Sequence, residues 1–390
     1  NLNLLKDLFP SIEGMGSRLL DIRYLAVGQH IDVEIPANFD EAQFPAVVEN
    51  MKKGIKKSGR PSLNADNNWV FALQFQLIKA IDVTILMCDP GFYGAELSIS
   101  KGSEFTDSLA GLKVTVLYSK INETIGMFHA KLTLPEVFRV IDLGAVQIRL
   151  GEIALSIYTN GNFKIDLGFP YNKEFTRSFG LTYLFFTGKG GFYFGLLNGD
   201  TSRAVPQVSR GHFETVIELG IGISAGVGRE ISMGPLKAGA YIMIVALFQG
   251  VFATYVPGDE AGNSYYYKVQ ATAGVTASVY GCVDFALIKV GFSVNASFLM
   301  DLTLERYERT VLALDLDISV EAYIKIFFIK ISFSFRFHWQ DTMELGSRST
   351  PPWEIAQNVD MGKEAAREYS AEWYEGAVFE TKKHLFIDVI

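Results

Sequence analysis

The sequence predicts an all-β protein with minor α content, built from an elongated, curved, long-stranded antiparallel sheet, or sheets, with capping helices. Three observations predict this fold class. Apolar and polar residues alternate with a period of two over long stretches from Trp69 onward, turn signals separate these stretches, and a hairpin unit of about 40 residues repeats in the second half. A chain of 390 residues can form one large β domain or two ordinary ones.

The composition excludes disorder and is more apolar than that of a typical soluble domain. Hydrophobic residues make up 49% of the chain and charged residues 20%, and the mean hydropathy is +0.19. A disordered chain has low hydrophobicity and high charge instead. The chain therefore has either a very large core or an apolar surface that faces something other than water.

Charge and cysteine content limit the partners. The net charge of −8 argues against nucleic acid, which attracts basic surfaces. One basic run, residues 52–60, lies at the end of a predicted helix, where lysines complement the helix C-terminus. Cys88 and Cys282 are favoured as two buried free thiols over one disulfide. We expect no nucleic-acid partner and no disulfide scaffold.

Three regions are predicted along the chain. Residues 1–68 form a mixed segment with one helix, residues 69–348 form the long-stranded β domain, and residues 349–390 hold a linker, a helix at 360–374 and an edge strand at 378–390. Because the chain begins at Asn1 rather than Met, we expect it to be part of a longer polypeptide.

The N-terminal helix is predicted at residues 41–57. Asn38 or Asp40 can cap its start, and Gly59 follows as a stop signal. Its apolar residues recur at helical spacing, which predicts that they cover part of a core; they are Phe44, Val47, Val48, Met51 and Ile55.

Alternation predicts several strands in the first half. They lie at 70–87 as a strand pair, 111–119, 127–134, 146–158 and 163–167. The segment 88–91 is a turn signal, and Asn160-Gly161 between two alternating runs is typical of a hairpin turn. In the second half, residues 238–256 are long and apolar enough to imitate a membrane helix. Their β-branched and aromatic content favours a strand.

The repeat rests on two similar segments, 283–294 and 324–335, with a looser copy at 245–252. In both segments the apolar set changes from one strand face to the other, at Leu287/Ile288 and at Phe328/Ile329. We interpret each change as a β-bulge or a corner within a long bent strand. The repeat also predicts that Lys289 and Lys330 lie side by side, or nearly so.

No pattern predicts catalytic, cofactor-binding or metal-ligating residues, so we expect a non-enzymatic protein without a cofactor. The five histidines are scattered and lack ligand spacing, and the glycine-rich segment 188–191 is predicted to be a hairpin turn rather than a phosphate loop. Asp315, Asp317 and Glu321 share a strand face. A solvated face is favoured over a calcium site there.

Four segments carry a family resemblance: 88–94, 158–170, 190–195 and 349–353. They resemble a region of very large, uncharacterised bacterial and fungal β-rich proteins that carry a domain of unknown function. The resemblance covers residues 69–353. It implies that the chain is one region of a longer polypeptide, and it brings no activity, cofactor or site residue.

Three functions are compatible with these features. The first is a non-enzymatic structural or binding module whose partners are other regions of a larger polypeptide or assembly. The second is a lipid-binding or lipid-conducting hydrophobic β groove, and the third is an outer-membrane β-barrel. The sequence assigns no compartment.

The first two functions differ in whether the apolar face is sealed by protein or open to lipid. The glycines Gly220 and Gly222 suit close sheet packing, which favours a sealed core. Such a core needs facing partners for the large side chains of this face: Phe285, Phe292, Phe298, Leu314, Ile318, Phe333 and Phe335.

Overall fold

The structure is a computed structural model that describes residues 20–29, 44–57, 69–77, 80–101, 109–171, 173–258, 262–355 and 380–389. The chain divides into two compact units. The first contains residues up to 141 together with 149–167, and the second contains residues 142–148 and 168–390. The predicted all-β class is confirmed, since the described strand pairs are antiparallel and helices are few.

The first unit contains an antiparallel sheet with the strand order β1, β2, β3, β4, β5, β6, β9, β10. These strands are Leu20–Gln29, Trp69–Leu77, Ile81–Cys88, Phe92–Ile99, Lys113–Lys120, Gly126–Thr133, Ile153–Tyr158 and Phe163–Leu167. The Asn160-Gly161 hairpin is confirmed, with Gly161 at a φ of 88°.

The predicted strand at 146–158 is interrupted. Helix α2 (Glu136–Arg139) and strand β7 (Val140–Asp142) follow β6, and β8 (Val146–Arg149) ends before β9 begins. Residues 150–152 leave the strand because the Leu150 N–H donates to the Arg139 carbonyl at 2.6 Å.

Helix α1 (Phe44–Lys57) lies against the sheet of the first unit and encloses its core. Phe44, Val47 and Val48 are buried, as their helical spacing predicts. They pack on side chains from four strands: Val70, Ala72, Leu86, Phe92 and Leu117. The side chains of Met51 and Ile55 lie outside the described part of the chain.

Cys88 on β3 packs against this core, and burial raises the pKa of its thiol to about 11. Both Cys88 and Cys282 are free, as predicted, but each is half-buried rather than buried. We expect iodoacetamide to alkylate Cys88 about 100-fold more slowly at pH 8 than a cysteine with the ordinary pKa of 9.0, because its reactive thiolate is about 100-fold rarer.

The measurement is mass spectrometry of the Cys282→Ser variant, in which Cys88 is the one cysteine that can be alkylated. The alkylation rate of Cys88 should rise with pH up to about 11. In guanidinium it should equal the rate of a cysteine with the ordinary pKa. Fast labelling of the folded protein at pH 8 would contradict the assigned burial.

The second unit is an antiparallel sheet in which β8 pairs with β11 and the strands then follow in chain order to β19. The strands are Phe179–Tyr183, Phe186–Leu197, His212–Met233, Leu236–Val256, Ser264–Asp284, Ile288–Glu305, Thr310–Ile326, Ile329–Leu345 and Glu380–Val389. The prediction that 238–256 is a strand is confirmed by β14. The C-terminal strand is confirmed as well, since β19 pairs with β18; the predicted helix at 360–374 lies outside the described residues.

The two face changes are hairpin turns, so the predicted bulges or corners are wrong. Ile326 pairs with Ile329 across Phe327-Phe328, and Phe285 donates its N–H to the Ile288 carbonyl across residues 286–287. In a two-residue hairpin, paired residues three positions apart share a face, which reverses the odd-even pattern of the sequence.

The hairpin repeat itself is confirmed by the register. Lys289 pairs with Lys325, and Lys325 pairs with Lys330, so the three lysines form one row across β16, β17 and β18. The looser copy at 245–252 does not align with the other two, because it lies in the middle of β14 and the turn of its hairpin is at 234–235.

The glycine-rich segment 188–191 is not a turn, which corrects that prediction. It lies inside β12, and the turn precedes it at Leu184-Phe185. Glycine is required at Gly191 because a Cβ there would stand 2.0 Å from the carbonyl oxygen of Gly168. A close approach of two backbones, rather than a turn, accounts for this glycine.

Candidate functional site: an exposed apolar sheet face

The long strands of the second unit have one apolar and one mostly polar side. We call the side of β11–β18 that carries Phe186, Ile223, Ile244, Val275 and Phe298 the apolar face, and the other side the opposite face. Residues paired across strands share a face, so the registers define both sides without further assumption.

Rows of paired residues show how consistent the two faces are. One row of the apolar face reads Val227, Ile242, Ala277, Ala296, Ile318 and Phe337. The next row on the opposite face reads Gly228, Tyr241, Ser278, Asn295, Ser319 and Arg336. Arg229 and Asp341 are the charged exceptions among the register-paired positions of the apolar face in β11–β18.

Many side chains of the apolar face are exposed. Ile244 is 65% exposed and Ile331 is 67% exposed. Further exposed members on six strands are Ile221, Ile223, Ile242, Val275, Val279, Val290, Phe292, Phe298, Ile324 and Phe333. The expectation of a sealed core does not hold for Phe285, Phe292, Phe298 and Phe333, which are exposed, while Leu314, Ile318 and Phe335 are half-buried.

The exposed band is large. Ile288 and Met300 lie about 40 Å apart along β16, and the seven strands β12–β18 together are about 30 Å wide. The band therefore covers on the order of 1,000 Å², whereas the largest apolar patch of a soluble monomer is about 300–600 Å².

The chain covers part of the opposite face instead. We call residues 168–171 and 173–178 the strap. Its Phe169 is fully buried and packs edge-on against Tyr193 at 4.8 Å, in a cluster with Val245 and Leu247 of β14. Val245 and Leu247 are therefore apolar residues of the opposite face because they pack against the strap.

An ion pair holds the far part of the strap. Lys173, at a φ of 63°, reaches both carboxylate oxygens of Asp301 on β16, at 2.9 and 2.7 Å. Thr272 on β15 also donates to Asp301. Within the strap, the Ser178 hydroxyl donates to the Gly168 carbonyl at 2.6 Å.

Three two-residue turns lie level with one another at one end of this sheet, which we call the turn end. They are Gly234-Pro235, Ala286-Leu287 and Phe327-Phe328, and a fourth turn, Leu184-Phe185, lies further back along β13. Phe328 is 90% exposed. Hairpin turns are normally made of Gly, Asn and Asp, so apolar residues here are unusual.

Backbone geometry makes two of these turns more unusual still. Gly234, Leu184 and Phe327 have φ values of 56°, 54° and 53°, at the first central position of their turns. Glycine adopts this conformation freely, but a residue with a side chain is strained by about 1–2 kcal/mol. The chain therefore keeps Leu184 and Phe327 at positions where glycine would be more stable.

The other end of the sheet, the loop end, is charged. Arg309 pairs with Glu344 at 3.1 Å, and Arg348 pairs with Glu308 at 2.9 Å. Trp353, from the short helix α3 (Pro352–Ile355), is buried here among aromatic rings. The two ends thus differ in chemistry as clearly as the two faces.

Asp317, on the strand face that also carries Asp315 and Glu321, is bound by protein groups. Arg336 donates two hydrogen bonds to one oxygen of Asp317, at 2.9 and 2.8 Å, and His338 Nδ1 lies 3.5 Å from the same oxygen. No group of three or more potential metal ligands occurs in the described ranges.

The turn end is the feature that the sequence analysis did not predict. Its turns lie within uninterrupted runs of apolar residues, which gave no turn signal.

A shallow depression of about 360 Å³ lies on this unit near the turn Leu184-Phe185. Leu181, Phe186 and Val227 line it together with small residues such as Gly188 and Ala225. The small residues leave room between the larger apolar ones.

Two further findings bear on function. In the part of the chain that the structure describes, no helix is both long and apolar enough to span a membrane. No family model, no curated protein and no solved structure matches this chain. The surface chemistry of the second unit is therefore the basis for any functional assignment.

Proposed function

We propose that the second unit is a non-enzymatic lipid-binding module whose apolar face contacts acyl chains. The observation that carries the proposal is the exposed band of aliphatic and aromatic side chains on β12–β18, opposite a face that is polar or covered by the strap. Leaving such a band in water is unfavourable by about 25 cal/mol per Å².

The chemistry of the face favours lipid over a protein partner. Protein interfaces carry about one hydrogen bond per 100–200 Å². The rows from Met233 to Ile223 of β13 and their neighbours hold almost only Ala, Val, Ile, Leu, Met and Phe, with Arg229 and Asp341 as exceptions. Acyl chains need no hydrogen-bond partners, so this surface matches them.

The test is flotation of the full chain with neutral phosphatidylcholine vesicles after dilution out of detergent. The variant Ile244→Asp/Ile331→Asp places two carboxylates on the apolar face, at side chains that are already exposed. We expect its partition coefficient to fall at least tenfold, because a charge on a lipid-facing strand position is unfavourable.

The matched control is Asn295→Asp/Ser332→Asp, which adds the same charge to exposed positions of the opposite face in the same sheet. The control should float like the unchanged protein. Failure of the unchanged protein to float, or equal flotation of the two variants, would refute lipid binding.

The second candidate is the structural module, in which another protein layer covers the same face. The size of the band supports it, since obligate interfaces are large and apolar. It predicts a lipid-free, discrete oligomer in sedimentation that the Ile244→Asp/Ile331→Asp variant abolishes.

A further inference from the structure

We infer that the lipid is an anionic bilayer and that the sheet enters it with the turn end first. This inference rests on the proposed function, because it specifies the lipid and the orientation of the same apolar face. Two independent features of the second unit carry it: the apolar turns and the lysine row behind them.

The apolar turns lower the free-energy cost of placing the ends of these strands in hydrocarbon. Loops at membrane depth expose polar backbone and side chains, which lipid cannot satisfy. Here Ala286-Leu287 and Phe327-Phe328 are short, closed by backbone hydrogen bonds, and apolar. The bulky residue Phe327 persists at a positive φ where glycine is the residue without strain.

The lysine row lies on the opposite face directly behind the turns. Lys289, Lys325 and Lys330 form one row, and Lys237 pairs with Ser232 near the neighbouring turn. Asp284 accepts a hydrogen bond from Lys289 at 2.7 Å. Within the described residues, Lys325 and Lys330 have no acidic partner, and the Lys330 ammonium lies 5.5 Å from the Tyr323 ring centroid.

The charge of this row complements an anionic membrane surface. Each lysine near such a surface adds attraction, although the whole chain carries a net charge of −8. At the loop end, by contrast, Arg309 and Arg348 are paired with Glu344, Glu308 and Glu354.

The orientation is tested with one fluorescent label per molecule in a Cys88→Ser/Cys282→Ser background. The label is attached at Phe328→Cys on the turn end or at Ser347→Cys on the loop end, both exposed positions. Vesicles of phosphatidylcholine with phosphatidylglycerol carry nitroxide quenchers on their acyl chains. We expect strong quenching at position 328 and little at position 347.

Each outcome separates the inference from the proposed function. Flotation of both labelled proteins with a quenched probe at 347 or an unquenched probe at 328 overturns the orientation and leaves lipid binding intact. Failure of the unlabelled full chain to float with neutral vesicles overturns lipid binding and the orientation together.

The charge requirement is tested by Lys325→Gln/Lys330→Gln, with Arg309→Gln/Arg348→Gln as the control at the loop end. We expect the lysine variant to bind vesicles with phosphatidylglycerol about tenfold more weakly and neutral vesicles equally well. An equal effect of both variants overturns the role of the lysine row.

The role of the turns is tested by Phe327→Gly/Phe328→Asn. Gly-Asn is a favourable hairpin turn sequence, so this variant keeps the hairpin and removes two phenyl rings. We expect quenching of a label at Leu287→Cys to fall by at least half, and unchanged quenching would overturn the role of the Phe327-Phe328 turn.

Discussion

Replacing Trp353 with alanine is expected to lower the free energy of unfolding by about 3–5 kcal/mol, the range for large buried aromatic side chains. The Trp353 indole is 8% exposed. Its centroid lies 5.3–5.8 Å from four rings: Phe213, Tyr255, Tyr266 and Tyr307. The variant leaves a cavity between side chains of strands β13, β14 and β15. The loss of stability should be measurable by urea unfolding followed by circular dichroism.

The control for Trp353→Ala is Phe328→Ala, which removes an aromatic ring that is 90% exposed. Its expected change in stability is within about 0.5 kcal/mol, as for other surface substitutions. Similar losses for the two variants would show that the ring cluster around Trp353 is not packed as described.

Gly191→Ala is expected to destabilise the second unit by about 1–3 kcal/mol, the range for overpacking. The new Cβ would lie 2.0 Å from the Gly168 oxygen and 2.3 Å from the Gly168 carbonyl carbon. Both are backbone atoms, so no side-chain rotation relieves the clash, and the start of the strap must shift. Thermal unfolding measures the effect, and limited proteolysis within 168–178 shows whether the strap has detached.

Gly188→Ala is the matched control in the same strand. A Cβ at Gly188 has its nearest neighbour, the Ser224 oxygen, at an ordinary 3.9 Å. This substitution should be neutral, or stabilising by a few tenths of a kcal/mol through the unfolded chain. If both alanines are tolerated, the contact between Gly191 and the strap is wrong.

The fold class was predictable because strict alternation of apolar and polar residues over long runs is typical of strands and does not fit the period of a helix. The repeat was predictable because the pairs around Lys289 and Lys330 are similar, and their alignment in one row confirms it. Helix α1 was predictable from the spacing of Phe44, Val47 and Val48.

The turns were not predictable by the usual signals. Phe327-Phe328 and Ala286-Leu287 contain no Gly, Asn, Asp or Pro, so the sequence reads as an unbroken apolar strand. The change of face was visible, but a bulge and a tight turn produce the same odd-even reversal. Only the register of the backbone distinguishes them.

The glycines illustrate the opposite difficulty. Four glycines between Gly188 and Gly195 predict a turn on composition, yet the segment is regular strand. Glycine is required at Gly191 because the backbone of Gly168, which lies earlier in the sequence, packs against it. Local composition contains no information about such a neighbour, which is also why the strap was not predicted.

The stacked hairpins of the second unit have a consequence for how the gene can vary. Each hairpin contacts mainly the strands on either side of it, and β17 runs in the same direction as β15. Removing β15 and β16 together would present β17 to β14 in antiparallel orientation, with apolar and polar sides still matched. Duplication or loss of such a segment changes the width of the sheet in steps of two strands, so width is open to evolutionary adjustment without redesign of the fold.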